Sequence, residues 1–286
     1  MNRRPNEMNE NHQPLYDINR SSKPLSEAEA LFWLKQDNDI SMQYYAAWWL
    51  GRNRSTHPDT VPLLCKALDQ RQKIESTSTD SNKVAYNAAR ALGKLNNRAA
   101  VPRLLQALQE DDYKLKEASA RSLGDLRIED AVEPLMKILA GGPQVAGSVQ
   151  ENSPRLKEPC ESILEALGNI GCSNPEVLSI LKSFSDHDRP IIRGAACRAL
   201  LQLTGDTCWA NILTELLSHH QLQVRRSILI DIGAIGWRPA LKPIMKTLAE
   251  NSLKLIALRG LIENSSPSHP QDPSINEILL SMDQLL

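Results

Sequence analysis

Ala88-Ala89-Arg90-Ala91-Leu92-Gly93 is the stretch that decides how this chain folds. Its last three residues, Ala-Leu-Gly, return in the same or a related form ending at Gly51, Gly124 and Gly168. The frame continues at Leu201, where leucine stands in the glycine slot, and at Gly233. A weaker copy ends near Gly260. Successive spacings are 42, 31, 44, 33, 32 and 27 residues, so the basic period is about 31–33 with two inserts. A repeat of this length marks an α-solenoid, in which each unit buries its apolar face only against its neighbours.

Each unit reads as two helices. The first opens on a proline, as at Pro62, Pro102, Pro134 and Pro175. Proline suits the first helical turn because its missing N–H would be unpaired there anyway. The second carries the Ala-Leu-Gly element. Acidic turns precede it at Asp37-Asn38-Asp39, Asp111-Asp112 and Asp186-His187-Asp188, and these predict caps for the positive helix ends. The closing glycine suits a C-cap or a tight helix–helix approach. The expected fold is all-α, a right-handed α-solenoid of HEAT-like helical-hairpin repeats. About seven repeats span residues 25–286. Ile275–Leu286 is the last helix, either covering the final repeat or offering Leu279-Leu280 and Leu285-Leu286 to a partner. Residues 1–24 are polar and Asn-rich and read as a disordered tail. The inserts at 71–83 and 140–157 have loop composition, and solenoid inserts of this kind flank a binding face or are neutral expansions.

Composition narrows the function. Net charge is -1 and the pI is about 6.6, so no basic field exists to hold nucleic acid. No apolar run is long enough to span a bilayer, and no membrane insertion is expected. The five cysteines are scattered without a Cys-x-x-Cys, which fits a reducing, cytoplasmic setting. Phosphate-loop and nucleophile-elbow motifs are absent. His219-His220 has no Cys, Asp or Glu at metal-ligand spacing, so no metal site is expected, and His187 reads as a capping residue.

The frame lets equivalent slots be compared. Four and five residues before the glycine the side chains are small or aliphatic, and one residue before it stands Leu or Ile; these are core. Three and seven residues before it stand Tyr44 and Trp48, Tyr86 and Arg90, Glu117 and Arg121, Glu161 and Glu165, Gly194 and Arg198, and Arg226 and Ile230. Such i, i+4 pairs share one helix face and line one long surface. That surface is graded, from aromatic at the N-terminal end to Arg, then Glu, then Arg again. A flat conjugated body bearing carboxylates suits the gradient, since aromatic faces stack and Arg forks bind carboxylates bidentately. Glu117–Arg121 reads equally well as an ordinary surface pair.

Six of the twelve aromatic residues fall between Phe32 and Trp49. Tyr44-Tyr45-Ala46-Ala47-Trp48-Trp49-Leu50-Gly51-Arg52 resembles the E-type subunit of the heterodimeric phycobilin lyases. The likeness extends through Asn87–Leu95, Ala100-Val101-Pro102, Leu164–Gly171, Ile232–Trp237, Glu250–Gly260 and Met282–Leu286, and covers the chain from about Ser26 to its end. The resemblance implies one half of an E/F heterodimer. Such a pair attaches phycocyanobilin, an open-chain tetrapyrrole, to a cysteine of the phycocyanin α-subunit through a thioether bond. The thiol belongs to the acceptor, so no nucleophile and no cofactor are expected here; phycocyanobilin is the substrate. A phycobilisome-associated, cytoplasmic site of action is implied. With the graded face, the resemblance makes Tyr44, Tyr45, Trp48, Trp49, Tyr86, Asn87, Arg90 and Arg121 the expected bilin-binding residues. Glu117, Glu161 and Asp231 are the candidate acids for the pyrrole N–H groups. Other E-type subunits serve phycoerythrocyanin and R-phycocyanin, with bilin isomerisation. A non-catalytic scaffold for phycobiliprotein subunits is the rival reading.

Overall fold

The computed structural model describes residues 25–36, 39–71, 82–265 and 272–286. The tail expected at 1–24 and most of the insert expected at 71–83 lie outside the described residues. The chain forms helical hairpins that stack into two layers. The first layer holds α1 (Glu27–Lys35), α3 (Thr60–Asp69), α5 (Val101–Ala107), α7 (Val132–Leu139), α10 (Pro175–Phe184), α12 (Thr207–Leu216) and α14 (Leu241–Lys246). The second holds α2 (Ile40–Arg52), α4 (Lys83–Lys94), α6 (Tyr113–Asp125), α9 (Cys160–Ile170), α11 (Pro190–Thr204), α13 (Leu222–Ile235) and α15 (Asn251–Glu263). A short α8 (Gly142–Val145) lies in the second insert, and α16 (Ile275–Asp283) ends the chain. Each first-layer helix packs on the second-layer helix that follows it, and successive second-layer helices pack side by side. This is an α-solenoid.

The termini follow local chemistry. Ser26 and Glu29 form a reciprocal capping box on α1. Asp39 accepts from the Met42 amide, and Asp112 accepts from the amides of Lys114 and Leu115, as the acidic turns predict. The third turn differs. Neither Asp186 nor Asp188 caps α11; its N-cap is Arg189, with no side-chain cap. Pro190 opens that helix and has no N–H to satisfy, while His187 Nδ1 accepts from the Arg189 amide at 3.0 Å. Pro62, Pro102, Pro134 and Pro175 lie in the first turns of their helices.

The closing glycines are not C-caps. They lie within α2, α4, α6, α9, α13 and α15, where the next second-layer helix comes closest. A Cβ on Gly51 would stand 2.6 Å from Ala91 Cα, and one on Gly124 would stand 2.7 Å from Ala166 Cα. The facing residue is small and in the first four junctions stands two places before its own glycine slot: Ala91, Ser122, Ala166, Ala199; Gly233 meets Ala257. Where a glycine does cap, in α9, α11 and α13, it is another one, Gly171, Gly205 or Gly236, in the left-handed region. Between the layers the Leu and Ala slots fill the core; Leu50, Leu92, Leu123, Leu167, Leu200 and Ile232 are fully buried. The low aromatic content follows, because close-set helices leave room for Ala and Leu and little for rings.

The 140–157 insert is folded onto the solenoid. It forms α8 and an antiparallel bridge between Val149 and Leu156. His187 Nε2 stands 3.2 Å from the Gly147 carbonyl, Arg189 donates to the Pro154 carbonyl at 2.8 Å, and Lys116 pairs with Glu158 at 2.7 Å. Ala146 and Leu156 are buried. At the end of the chain, α16 buries Ile278 against the last hairpin and leaves Leu279 and Leu280 exposed.

Replacing Gly124→Val forces α6 and α9 apart. Overpacking of this kind is expected to cost about 1–3 kcal/mol, read as a lowered thermal midpoint. An unchanged midpoint would show that the junction has slack.

Candidate functional site

The row seven places before the glycine slot, Tyr44, Tyr86, Glu117 and Glu161, runs across α2, α4, α6 and α9 on the face turned away from the first layer. At its aromatic end Tyr44, Tyr45 and Trp48 are 40%, 42% and 37% exposed. Tyr45 and Trp48 stack at 5.4 Å between centroids, and Arg52 lies 5.3 Å from the Trp48 ring centre. Tyr44 and Tyr86 line a recess of about 610 Å³ with Ile40, Lys83 and Lys114. Arg90 is exposed; it donates to the Tyr86 hydroxyl at 3.1 Å and sits over that ring. Two expected ligand contacts are built otherwise. Asn87 is only 4% exposed, and its amide donates to the Tyr44 carbonyl at 3.0 Å, so it ties α4 to α2. Trp49 is half-buried and packs against the core, leaving its neighbour Trp48 as the open ring.

Farther along, the face becomes a chain of alternating charges through four helices. Arg121 is 3.5 Å from Glu117, 4.0 Å from Glu161 and 2.8 Å from Glu165. Glu165 is 3.6 Å from Arg198, which is 3.0 Å from Asp231 and also donates to Asn169. Glu165 and Arg198 are buried, against the expectation that their slots form open surface, and the candidate acid Asp231 is buried with them. Asp231 occupies the slot that holds Ala91, Ser122, Ala166 and Ala199 in earlier repeats. It faces α11 where Leu201 has replaced the glycine. The candidate acid Asp231 is therefore a helix–helix contact, closed off by Arg198.

The carboxylates differ in their hold on the proton. Burial pushes Glu161 up to about 7; the charge of Glu165 adds to this and Arg121 opposes it. Burial also raises Asp231, against the pull of Arg198. For Arg121, burial alone would lower the pKa, but Glu165, Glu161 and Glu117 outweigh it and the value rises. Arg121 stays charged and Glu161, the half-buried member, is poised near neutrality.

A second recess, of about 390 Å³, opens beside this chain. Glu117, Arg121 and Glu161 bound it on one side. Its walls include Tyr113, Ile191 and Val224 and the insert residues Pro154, Arg155 and Leu156. Arg155 lies 5.8 Å from the Tyr113 ring centre, and burial followed by the charge of Glu117 pushes the Tyr113 hydroxyl up to about 12. Sequence reasoning did not single out Tyr113, Arg155 or Arg189. Tyr113 was within reach, since it lies one helical turn before Glu117 on the same face of α6. Arg155 was not, because nothing local says where an insert folds. Among the described residues no group of three or more His, Cys, Asp or Glu is placed to hold a metal ion. Again among the described residues, no helix is long and apolar enough to cross a membrane.

A layered helical-repeat array with one open, graded face defines the class as a HEAT-like repeat protein. Residues 42–70 match the PBS lyase HEAT-like repeat model, and residues 74–148 match the model for HEAT repeats. The bilin biosynthesis protein RpcE of Synechococcus sp. (strain WH8020) is 46% identical over 266 residues, covering 93% of this chain and 97% of that protein. The phycocyanobilin lyase subunit alpha of Picosynechococcus sp. (strain ATCC 27264 / PCC 7002 / PR-6) is 41% identical over 261 residues, covering 90% and 95%. A chain from the solved complex of CpcE and CpcF of phycocyanin lyase from Nostoc sp. PCC7120 matches with a TM-score of 0.82 at 36% identity, over 95% of this chain and 99% of that one. The chain belongs to the family of phycocyanobilin lyase alpha subunits, the E-type bilin lyase subunits.

Two outcomes test the charge chain. Asp231→Ala takes from buried Arg198 its shortest ion pair, leaving Glu165 at 3.6 Å, and is expected to lower stability by up to about 3 kcal/mol in urea unfolding, while the joint change Arg198→Met with Asp231→Leu restores most of it. Glu161 titrates near 4.5 when unfolded and at about 7 when folded, so the folded state binds more protons between those values. Stability is then greatest below about 4.5 and falls as pH rises to about 7. Glu161→Gln removes that fall, and the variant gains on the parent as pH rises through this window. A constant difference across it would mean that Glu161 ionises normally.

Proposed function

We propose that this chain is the alpha subunit of a bilin lyase that works with an F-type partner. The pair holds phycocyanobilin and adds a cysteine thiol of the phycocyanin α-subunit to it. The observation that carries this reading is the open face, in a chain of this family, on which stacked aromatic rings lead into a carboxylate poised near neutral pH. Tyr44, Tyr45, Trp48 and Tyr86 stack on pyrrole rings, and half-buried Trp49 supports them from beneath. Arg90 holds a propionate with its exposed fork. Arg121 is already shared by three carboxylates, so its task is to hold Glu117, Glu161 and Glu165 in place. Asn87 and Asp231 contribute by holding helices together.

Glu161 is the favoured acid. Thiol addition forms one C–S bond, opens one C=C bond of the bilin and leaves the thiol proton on the product, so no oxidant and no further cofactor are required. A proton delivered to the pyrrole system makes the bilin a better electrophile, and a donor near pH 7 is matched to that task. The chain's own buried thiols do not compete, because burial pushes Cys160 and Cys197 up to about 12. The named CpcE–CpcF complex supports the F-type partner. A phycobiliprotein acceptor fits a cytoplasmic setting at the phycobilisome. A second reading comes from the relative at 46% identity, a bilin biosynthesis protein whose name does not specify phycocyanobilin. In that reading the pair isomerises the bilin as it attaches it, as in the R-phycocyanin branch.

The test mixes this chain, an F-type subunit, phycocyanobilin and apo-α-phycocyanin and follows covalent colour on the α-subunit. Colour is expected only when both lyase chains are present, and its spectrum separates simple attachment from isomerisation. Trp48→Ala and Arg90→Ala are each expected to weaken bilin binding about tenfold, the loss of one stacking or charge-assisted contact. Unchanged affinity in both would remove the site assignment. Docking of the α-subunit without bilin binding would favour a scaffold instead.

A further inference from the structure

We infer that the cleft walled by the 140–157 insert seats a propionate-bearing ring of the bilin, with Arg155 and Arg189 as a carboxylate clamp that selects the free diacid. This rests on the bilin-binding reading above and adds a specificity device to it.

The insert is fixed. It is held through Gly147 and Pro154, and through Glu158 immediately after it, by three different partners: the turn before α11, the N-cap of α11 and α6. A Cβ on Gly147 would lie 2.7 Å from His187 Nε2, so the insert seats closely on the imidazole. His187 is in turn stacked parallel to Phe184, at 6.2 Å between centroids. These contacts set Pro154-Arg155-Leu156 against Tyr113 and α11 in one position.

The cleft matches one end of a bilin chemically. Leu156, Ile191 and Val224 supply apolar walls for a flat ring, and Tyr113 supplies an aromatic one. Glu161 faces it as an acceptor for a pyrrole N–H. Arg155 and Arg189 stand on its lining with guanidinium groups that no carboxylate claims in the described structure. Arg155 rests over Tyr113, and Arg189 gives one N–H to the Pro154 carbonyl. A guanidinium has five N–H donors in a planar fork, so both can still accept a carboxylate. The volume of about 390 Å³ is at the low end for small-molecule sites, which run ~300–1,000 Å³, and suits part of an open-chain tetrapyrrole. The aromatic recess around Tyr44 and Tyr86 then takes another part.

The experiment uses the pair of this chain with its F-type subunit and two probes, phycocyanobilin and its dimethyl ester, followed by the change in bilin absorbance. The parent is expected to bind the free acid more tightly than the ester. Arg155→Ala, a substitution at an exposed insert residue, is expected to weaken the free acid about tenfold and leave the ester unchanged. Arg155→Lys should fall between, keeping the charge without the fork. Equal loss on both probes would overturn the clamp, because Arg155 would then act only by covering Tyr113. No loss on either probe would overturn it too. If the parent pair binds neither probe, the proposed function fails and the clamp with it. If the parent binds the bilin and Arg155→Ala matches it, the clamp alone fails.

Discussion

The close approach of one second-layer helix to the next is the constraint on which everything else in this protein rests. At every junction but the one after α11 a glycine meets the backbone of an alanine or serine, with less than a side chain's width between them. Helices held that closely have little freedom to slide, because interiors pack as tightly as organic crystals. Residues at equivalent slots therefore fall into straight rows across the array. Tyr44, Tyr86, Glu117 and Glu161 form a common face only because Gly51, Gly93 and Gly124 bring their helices into register. Where the device lapses, at Leu201, the next junction changes chemistry. Asp231 takes the small-residue slot and Arg198 reaches it, so a buried ion pair replaces a glycine contact. Such a pair is a weak source of net stability, yet it is costly to break from one side.

That substitution has consequences for the open face. Once Arg198 and Asp231 are buried, Glu165 is drawn in between Arg198 and Arg121. Arg121 gives its shortest contact to Glu165 and its longest to Glu161. Glu161 is left partly desolvated beside a second carboxylate with only a distant cation, and this is what raises its hold on the proton. The stacked rings and the proton-holding carboxylate thus sit at different points along one surface.

Much of this was legible in the residues. The period, the Pro-led first helices, the Asp39 and Asp112 caps and the Leu and Ala core slots all rest on local rules, which a repeat states several times over. The aromatic block was legible because it departs from the repeat. The errors share a cause. Asn87, Arg198 and Asp231 are polar residues whose slots face a neighbouring helix, and a polar side chain is read as surface until its partner is seen. The repeat held a warning for Asp231, since the slot is small in the four units before it, Ala91, Ser122, Ala166 and Ala199. Arg155 and the insert wall carried no such signal.

Residue order alone settles what recurs: a helical period near 32, which positions are core, and where the aromatic rings concentrate. It does so because periodicity and capping act over a few residues. Tertiary structure alone decides which charges meet, which carboxylate keeps a proton, and that the second insert closes a cleft over Tyr113. Those outcomes depend on distances between residues some 30 to 45 apart in the chain, such as Arg198 and Asp231 or Arg155 and Tyr113. Electrostatic interaction and desolvation at those distances are properties of packing, and no local pattern encodes them.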